Sequence, residues 1–341
     1  MTRVPYVPIR SIPSWLRLPG VVAPWNHALD AAGVRGDRVR DDYTQTARRL
    51  ARQCPTEYAC VRFVLPSAWQ PHLFAVVAFG GRGDALVDAP VRQRDHRRYH
   101  AWADEVRGGL ATGRADEPYL RAFLHTLAAR GIPHDDVHTH LAAQAEQLFC
   151  TGYATEREYD DYIDRAGLTI IRLMLAVCRP RGADKTGPGP WARMFVEAAQ
   201  RVDDLADLST DLRAGKLTLT EADLARFGVT RIDLESGRDT PAVRALLAHA
   251  CQRARTAVDA ALRALDQAAP EGRLLLRPAL VALRLLMDPI ESRGAALTRT
   301  PVTIPVPVPT SRPSASRLID DTLGIVHARL QVAAGMRLPM G

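Results

Sequence analysis

The chain has 341 residues, of which 47% are hydrophobic and only 6% aromatic, so a sizeable core must be built mainly from Leu, Ala and Val, a mixture that favours helices. Its formal charge of +7 is carried almost wholly by scattered arginines, with Lys185 and Lys216 the only lysines, and no reading module accompanies them, which excludes nucleic acid as the expected partner. Five cysteines without C-x-x-C spacing exclude a disulfide framework, and the lack of an 18-residue apolar run or a secretory leader excludes a stable membrane span and points to a cytoplasmic location.

Residues 1–40 contain Pro5, Pro8, Pro13, Pro19 and Pro24 without sustained periodicity and are read as an irregular N-terminal arm. From Asp41 the pattern becomes helical. Helices are expected over 41–53 and over 67–88, where Trp69, Leu73, Val76, Val77 and Gly80 recur at three- and four-residue steps. Further helices are expected at 94–112, 117–130, 134–151, 155–178, 189–214, 241–267 and 271–293. Gly131-Ile132-Pro133, Gly187-Pro188-Gly189-Pro190 and Ala269-Pro270-Glu271-Gly272 punctuate them as loops. No run of alternating strands occurs, so residues 41–300 are expected to form one all-α domain with ligand sites between facing helices. Beyond it, Thr300-Pro301-Val302-Thr303-Ile304-Pro305 and the prolines that follow suit an extended segment, with one more helix expected over 315–335 inside a 301–341 tail.

Two aspartate pairs stand out within these helices, Asp84/Asp88 and Asp207/Asp211. A spacing of four puts both carboxylates on one helix face, about 5.4 Å apart along the axis. The same spacing recurs at Asp37/Asp41, Asp160/Asp164 and Asp203/Asp207, so spacing alone does not distinguish a site from a solvated face. The second pair has a richer setting. Asp203, Asp207 and Asp211 stack at successive turns, an arrangement that repels itself unless cations sit against it, and Arg213 and Lys216 follow closely. Acids able to hold Mg²⁺ beside bases able to hold phosphate oxygens form a diphosphate-binding constellation. The competing reading is an acidic helix end neutralised by its own Arg and Lys. His134, His138 and His140 have zinc-like spacing, but they follow Gly131-Ile132-Pro133 as an exposed helix start would.

Several segments together resemble the squalene/phytoene synthase family. Ala78-Phe79-Gly80-Gly81-Arg82-Gly83-Asp84-Ala85-Leu86-Val87-Asp88 is similar to that family's first aspartate signature. Asp207 to Lys216, trailed by Leu224-Ala225-Arg226-Phe227-Gly228-Val229, is similar to the second, and Tyr162-Ile163-Asp164-Arg165-Ala166-Gly167 resembles the central helix. Thr240-Pro241-Ala242-Val243 and Ile290-Glu291-Ser292-Arg293-Gly294 also match in kind and order, so the resemblance covers about residues 41–304. It implies a class I isoprenoid synthase-like helical bundle around a central cavity. It further implies Mg²⁺ held by Asp84, Asp88, Asp207 and Asp211, with Asp203 assisting, an allylic prenyl diphosphate as donor, and Arg213, Lys216 and Arg82 on its phosphates.

The departures from the family pattern shape the expected activity. Gly81 replaces the arginine that usually follows the Phe by two residues, Asp203 stands where Asn is common, and Ala206 where a base is frequent. Thinner phosphate handling favours the branch that uses one prenyl diphosphate and an aromatic, carbazole-like acceptor. Head-to-head condensation of two prenyl diphosphates is the alternative. In the aromatic branch a carboxylate accepts a proton from the acceptor, and Asp164, in the central helix, is the candidate base.

Overall fold

The structure, a computed structural model, describes residues 24–302 apart from 55–57, 59–60, 63, 89, 91–93 and 181–187. The helices of this span are α1 (Trp25–Ala31), α2 (Asp37–Gln53), α3 (Gln70–Val87), α4 (His96–Thr112), α5 (Pro118–Arg130), α6 (Asp135–Gln147) and α7 (Glu156–Tyr162). A π-helical turn (Ile163–Gly167) leads into α8 (Leu168–Cys178), followed by α9 (Pro190–Ala206), α10 (Leu208–Ala214), α11 (Glu221–Phe227) and α12 (Arg231–Glu235). The long α13 (Pro241–Leu265) and α14 (Pro270–Arg293) and a 3₁₀ turn (Gly294–Thr298) complete it. Among the described residues there is no strand, only an isolated parallel bridge between Gly152 and Leu217. The all-α expectation holds.

Three boundaries differ from the sequence reading, each for a local reason. The stretch read as an irregular arm contains α1 and the start of α2. Its prolines punctuate helices rather than exclude them, since Pro24 occupies the N-cap position of α1, where a missing amide proton costs nothing. The stretch read as a continuous helix over 155–178 carries the π-turn, and the one over 189–214 breaks at Asp207, whose φ of −97° and ψ of 4° end α9 and begin α10. Residues 1–23, and the extended segment and final helix expected beyond Val302, lie outside the described residues.

Packing fixes α3 at the centre. Phe79 of α3 and Phe123 of α5, both fully buried, stack with centroids 4.2 Å apart, and truncating either to Ala is expected to cost about 3–5 kcal/mol. Tyr43 ties α2 to the same two helices: its hydroxyl lies 2.7 Å from Thr126 Oγ1, 3.1 Å from His72 Nδ1 and 3.0 Å from His125 Nδ1. On the other side α9 packs along α13 and α14, and Gly167 of the π-turn approaches so closely that a Cβ there would stand 2.4 Å from Val196 Cγ1. The end of α3 and the α9–α10 junction are therefore held by different sets of partners on either side of α7 and the π-turn.

Candidate active site

Asp84 and Asp88 close α3, with the Asp88 amide donating to the Asp84 carbonyl at 2.8 Å, so both carboxylates leave the same face one turn apart. Gln144 of α6 crosses over α3 to donate from Nε2 to Asp84 Oδ1 at 2.9 Å. Glycine leaves room for that crossing: a Cβ at position 83 would stand 2.2 Å from Gln144 Oε1 and force the amide to shift. Opposite, α9 and α10 bring Asp203, Asp204, Asp207 and Asp211. Asp207 is the pivot of the break, its carbonyl accepting from the amides of Thr210 (2.7 Å) and Asp211 (2.9 Å). Gly215, at φ 84°, ends α10 in the left-handed region and turns the chain back. The bridge between Leu217 and Gly152 then pins the return, placing Lys216 beside the acids.

The electrostatics show that these acids meet. Asp84 is pushed up to about 7, first by enclosure in the protein and then by Asp88. Asp203 is likewise pushed up to about 7 by enclosure and by Asp204, Asp207, Asp211 and Asp88, and Asp211 to about 6 by enclosure and the neighbouring aspartates against the opposing pull of Lys216. Asp88, from the far helix, thus acts on both Asp203 and Asp211, so the two motifs face one recess. Solvent reaches Asp84, Asp88, Asp203 and Asp207, which makes the recess wet although protein surrounds it. Lys216 pulls down Asp84, Asp88, Asp204 and Asp211 together, and Arg94 assists at Asp88 while donating to the carbonyls of Gln147, Leu148 and Cys150.

Sequence reasoning missed four contributors. Asp204 is buried and accepts from Tyr159 Oη at 2.6 Å and Gln200 Nε2 at 3.0 Å. Enclosure first, and then the neighbouring Asp88, Asp84 and Asp204, raise the Tyr162 phenol well above its ordinary range. Gln144 and Arg94 complete the set. The clustering of Tyr153, Tyr159 and Tyr162 near the central motif was the available signal, since their rings pack with centroids 5.3 and 5.7 Å apart.

Three expected contacts are not formed, and helix geometry explains each. Arg82 precedes Asp84 by two residues, about 200° around the helix, and lines a different cavity with Arg49 and Arg98. Arg213 turns outward, donating to the Arg299 carbonyl at 3.2 Å. Asp164, the candidate base, projects from the π-turn to the surface and pairs with Arg193 Nε at 3.1 Å, while Asp160 takes Arg193 Nη2 at 2.7 Å. His140 points inward with Nδ1 3.1 Å from the Ala166 carbonyl, away from the exposed His134 and His138, so the three histidines share no site.

Crowded carboxylates with raised pKa values and one nearby lysine are a donor set that calls for cations. Among the described residues no three carboxylate, imidazole or thiolate groups converge closely enough to hold a metal ion by themselves.

Residues 50–312 match the profile of the squalene/phytoene synthase family. A phytoene synthase from Arthrospira platensis is 26% identical over 276 residues, spanning 76% of this chain and 87% of that protein. The 15-cis-phytoene synthase of Synechocystis sp. is 24% identical over 280 residues, spanning 77% and 82%. The crystal structure of squalene synthase HpnC from Alicyclobacillus acidocaldarius superposes with a TM-score of 0.64 at 25% identity, covering 77% of this chain and 98% of that one. A dehydrosqualene synthase shares the fold at a TM-score of 0.66 and 17% identity, covering 86% and 100%. With a matching profile over most of its length, the chain belongs to the squalene/phytoene synthase family, whose members are prenyl-transferring enzymes.

Proposed function

We propose that this protein ionises an allylic prenyl diphosphate with the help of Mg²⁺ and transfers the prenyl group to an aromatic, carbazole-like acceptor. The charge balance of the recess carries the reading: six aspartates converge there, answered by Lys216 and, at Asp88, by Arg94. Gly81 lies on the same face of α3 as Asp84 and Asp88, at positions i, i+3 and i+7, where a cation would meet the same phosphates. Open space surrounds the place where its Cβ would stand. With Arg82 and Arg213 turned away as well, the recess has fixed positive charge suited to one diphosphate rather than two.

Asp84 and Asp88 on one wall, and Asp203, Asp207 and Asp211 on the other, would hold Mg²⁺, which when bound supplies the charge that neutralises the departing diphosphate. Lys216 adds a fixed ammonium to the same oxygens. Asp204 takes no part in ligation; tied to Tyr159 and Gln200, it orients the α9 end and keeps Asp203 facing the recess. The apolar wall next to the acids is closely packed, since a Cβ at Gly80 would already touch Ile170 Cδ1 at 3.4 Å, and it would shield an allylic cation from water.

A second reading, head-to-head joining of two prenyl diphosphates, is favoured by a different observation: relatives named phytoene synthase match over 87% and 82% of their own length. Incubation with Mg²⁺ and dimethylallyl, geranyl, farnesyl or geranylgeranyl diphosphate, with and without a hydroxylated carbazole, separates the two. The expected result is a prenylated carbazole formed only when the acceptor is present. A hydrocarbon with twice the donor's carbon number, formed without acceptor, would replace the first reading by the second.

A further inference from the structure

On the flank of α3 opposite the aspartates lies a cavity of about 370 Å³, floored by α3 and walled by α2, α4 and the start of α5. Three guanidinium groups from three different helices line it: Arg49, Arg82 and Arg98. Among the described residues Arg82 and Arg98 form no ion pair, and Arg49 engages only Gln53 and the face of Tyr119, over which its guanidinium stands 5.7 Å from the ring centroid. The wall behind them is rigid, because Trp102 Nε1 donates to the Tyr119 hydroxyl at 2.8 Å and both rings are buried. Two carboxylates, Glu105 and Glu117, border the same cavity without pairing with any of the arginines, and Glu105 Oε1 is shielded from solvent with no hydrogen-bond partner.

Guanidinium groups left without carboxylates in a formed cavity are unusual when two carboxylates line the same walls, since an arginine near an acid ordinarily pairs with it. The arrangement is complementary to a molecule with an oxyanion at one end and hydrogen-bond donors at the other. The arginines would take the oxyanion through paired N–H donors, and the Glu105 and Glu117 carboxylates on the same walls would accept from hydroxyls. Its size is that of a small-metabolite site.

We propose that this cavity binds a phosphate monoester that carries hydroxyl groups, at a site separate from the aspartate recess. The proposal is independent of the reaction assigned to that recess. It also gives a role to Arg82 and Arg98, which the recess leaves unused.

Calorimetric titration of the full chain with glycerol 3-phosphate in metal-free buffer tests it, because the recess without metal is strongly acidic and repels an anion. The expected result is saturable one-to-one binding that inorganic phosphate competes for and glycerol does not. The Arg82→Gln/Arg98→Gln variant is expected to lose at least about tenfold in affinity, whereas Asp84→Asn/Asp88→Asn retains it. Glu105→Gln, which removes a like charge yet keeps an acceptor, is expected to tighten inorganic phosphate several-fold. Absent saturation, equal affinity in the double arginine variant, or unchanged phosphate affinity in Glu105→Gln would each overturn the proposal.

Discussion

Asp160/Asp164 and Asp84/Asp88 are both carboxylate pairs one helical turn apart, yet Arg193 bridges the first at 2.7 and 3.1 Å while the second faces four more aspartates across a recess. Arg193 also pairs with Glu197, so each carboxylate of the outer cluster lies against a guanidinium of the chain itself. Among the described residues no carboxylate of the inner pair forms an ion pair, and Lys216, with Arg94 at Asp88, answers six acids. The two clusters therefore differ not in carboxylate spacing but in the supply of protein cations, which is why the inner pair is the one proposed to bind Mg²⁺.

Removing inner carboxylates should break the contrast most strongly. Asp84→Asn or Asp207→Asn is expected to lower kcat by about 10²–10³ even with Mg²⁺ saturating, the scale of losing a preorganised electrostatic contact at the reacting group. Melting temperature should stay level or rise, since each substitution relieves repulsion. Steady-state kinetics beside a thermal melt checks both, and near-normal turnover would remove these residues from the metal site.

A metal-free pH series sharpens the same point with a smaller effect. Asp84 and Asp203 are raised to about 7 and Asp211 to about 6 from an ordinary 3.8. Between 3.8 and about 7 the native protein therefore binds more protons than the unfolded chain, so these groups make stability fall as pH rises through that window. The melting temperature without metal is expected to be higher at pH 5 than at pH 8, and less so in Asp203→Asn. Mg²⁺ requires deprotonated ligands, so it should raise the melting temperature more at pH 8 than at pH 5. An equal Mg²⁺ shift at both pH values would mean that cations do not bind these acids.

Helix type was legible wherever three- and four-residue periodicity ran unbroken, as over α3, α13 and α14. Boundaries set by a single backbone conformation were not: nothing in the string around Asp207 announces the break that turns a uniform acidic stripe into a pivot, and Pro24 reads as a breaker until its place at the start of α1 is known. The recess was legible through its two motifs, because equal spacing combined with a nearby lysine is a local pattern. Asp204 and Gln144 were not, since their roles depend on Tyr159 and on a crossing over Gly83, contacts 45 and 60 residues away in sequence. Arg82 and Arg213 were misplaced because proximity in sequence was read as proximity in space, although a two-residue step on a helix points a side chain to the other flank.

The smallest effect is expected at the outer pair, and it is informative because Asp164 occupies the position where a base was anticipated. Asp164→Asn leaves Arg193 still paired with Asp160 and Glu197, and an exposed ion pair contributes about 0–1 kcal/mol. Turnover should stay within about twofold of the parent, and stability should fall by no more than that one exposed pair. Arg193→Gln removes the shared cation from three acids at once and is expected to cost more stability than Asp164→Asn while leaving the donor-side kinetics intact. If Asp164→Asn instead lowered kcat with a loss of the acidic limb in the pH profile, the outer pair would join the chemistry, and cation supply would no longer separate the two clusters.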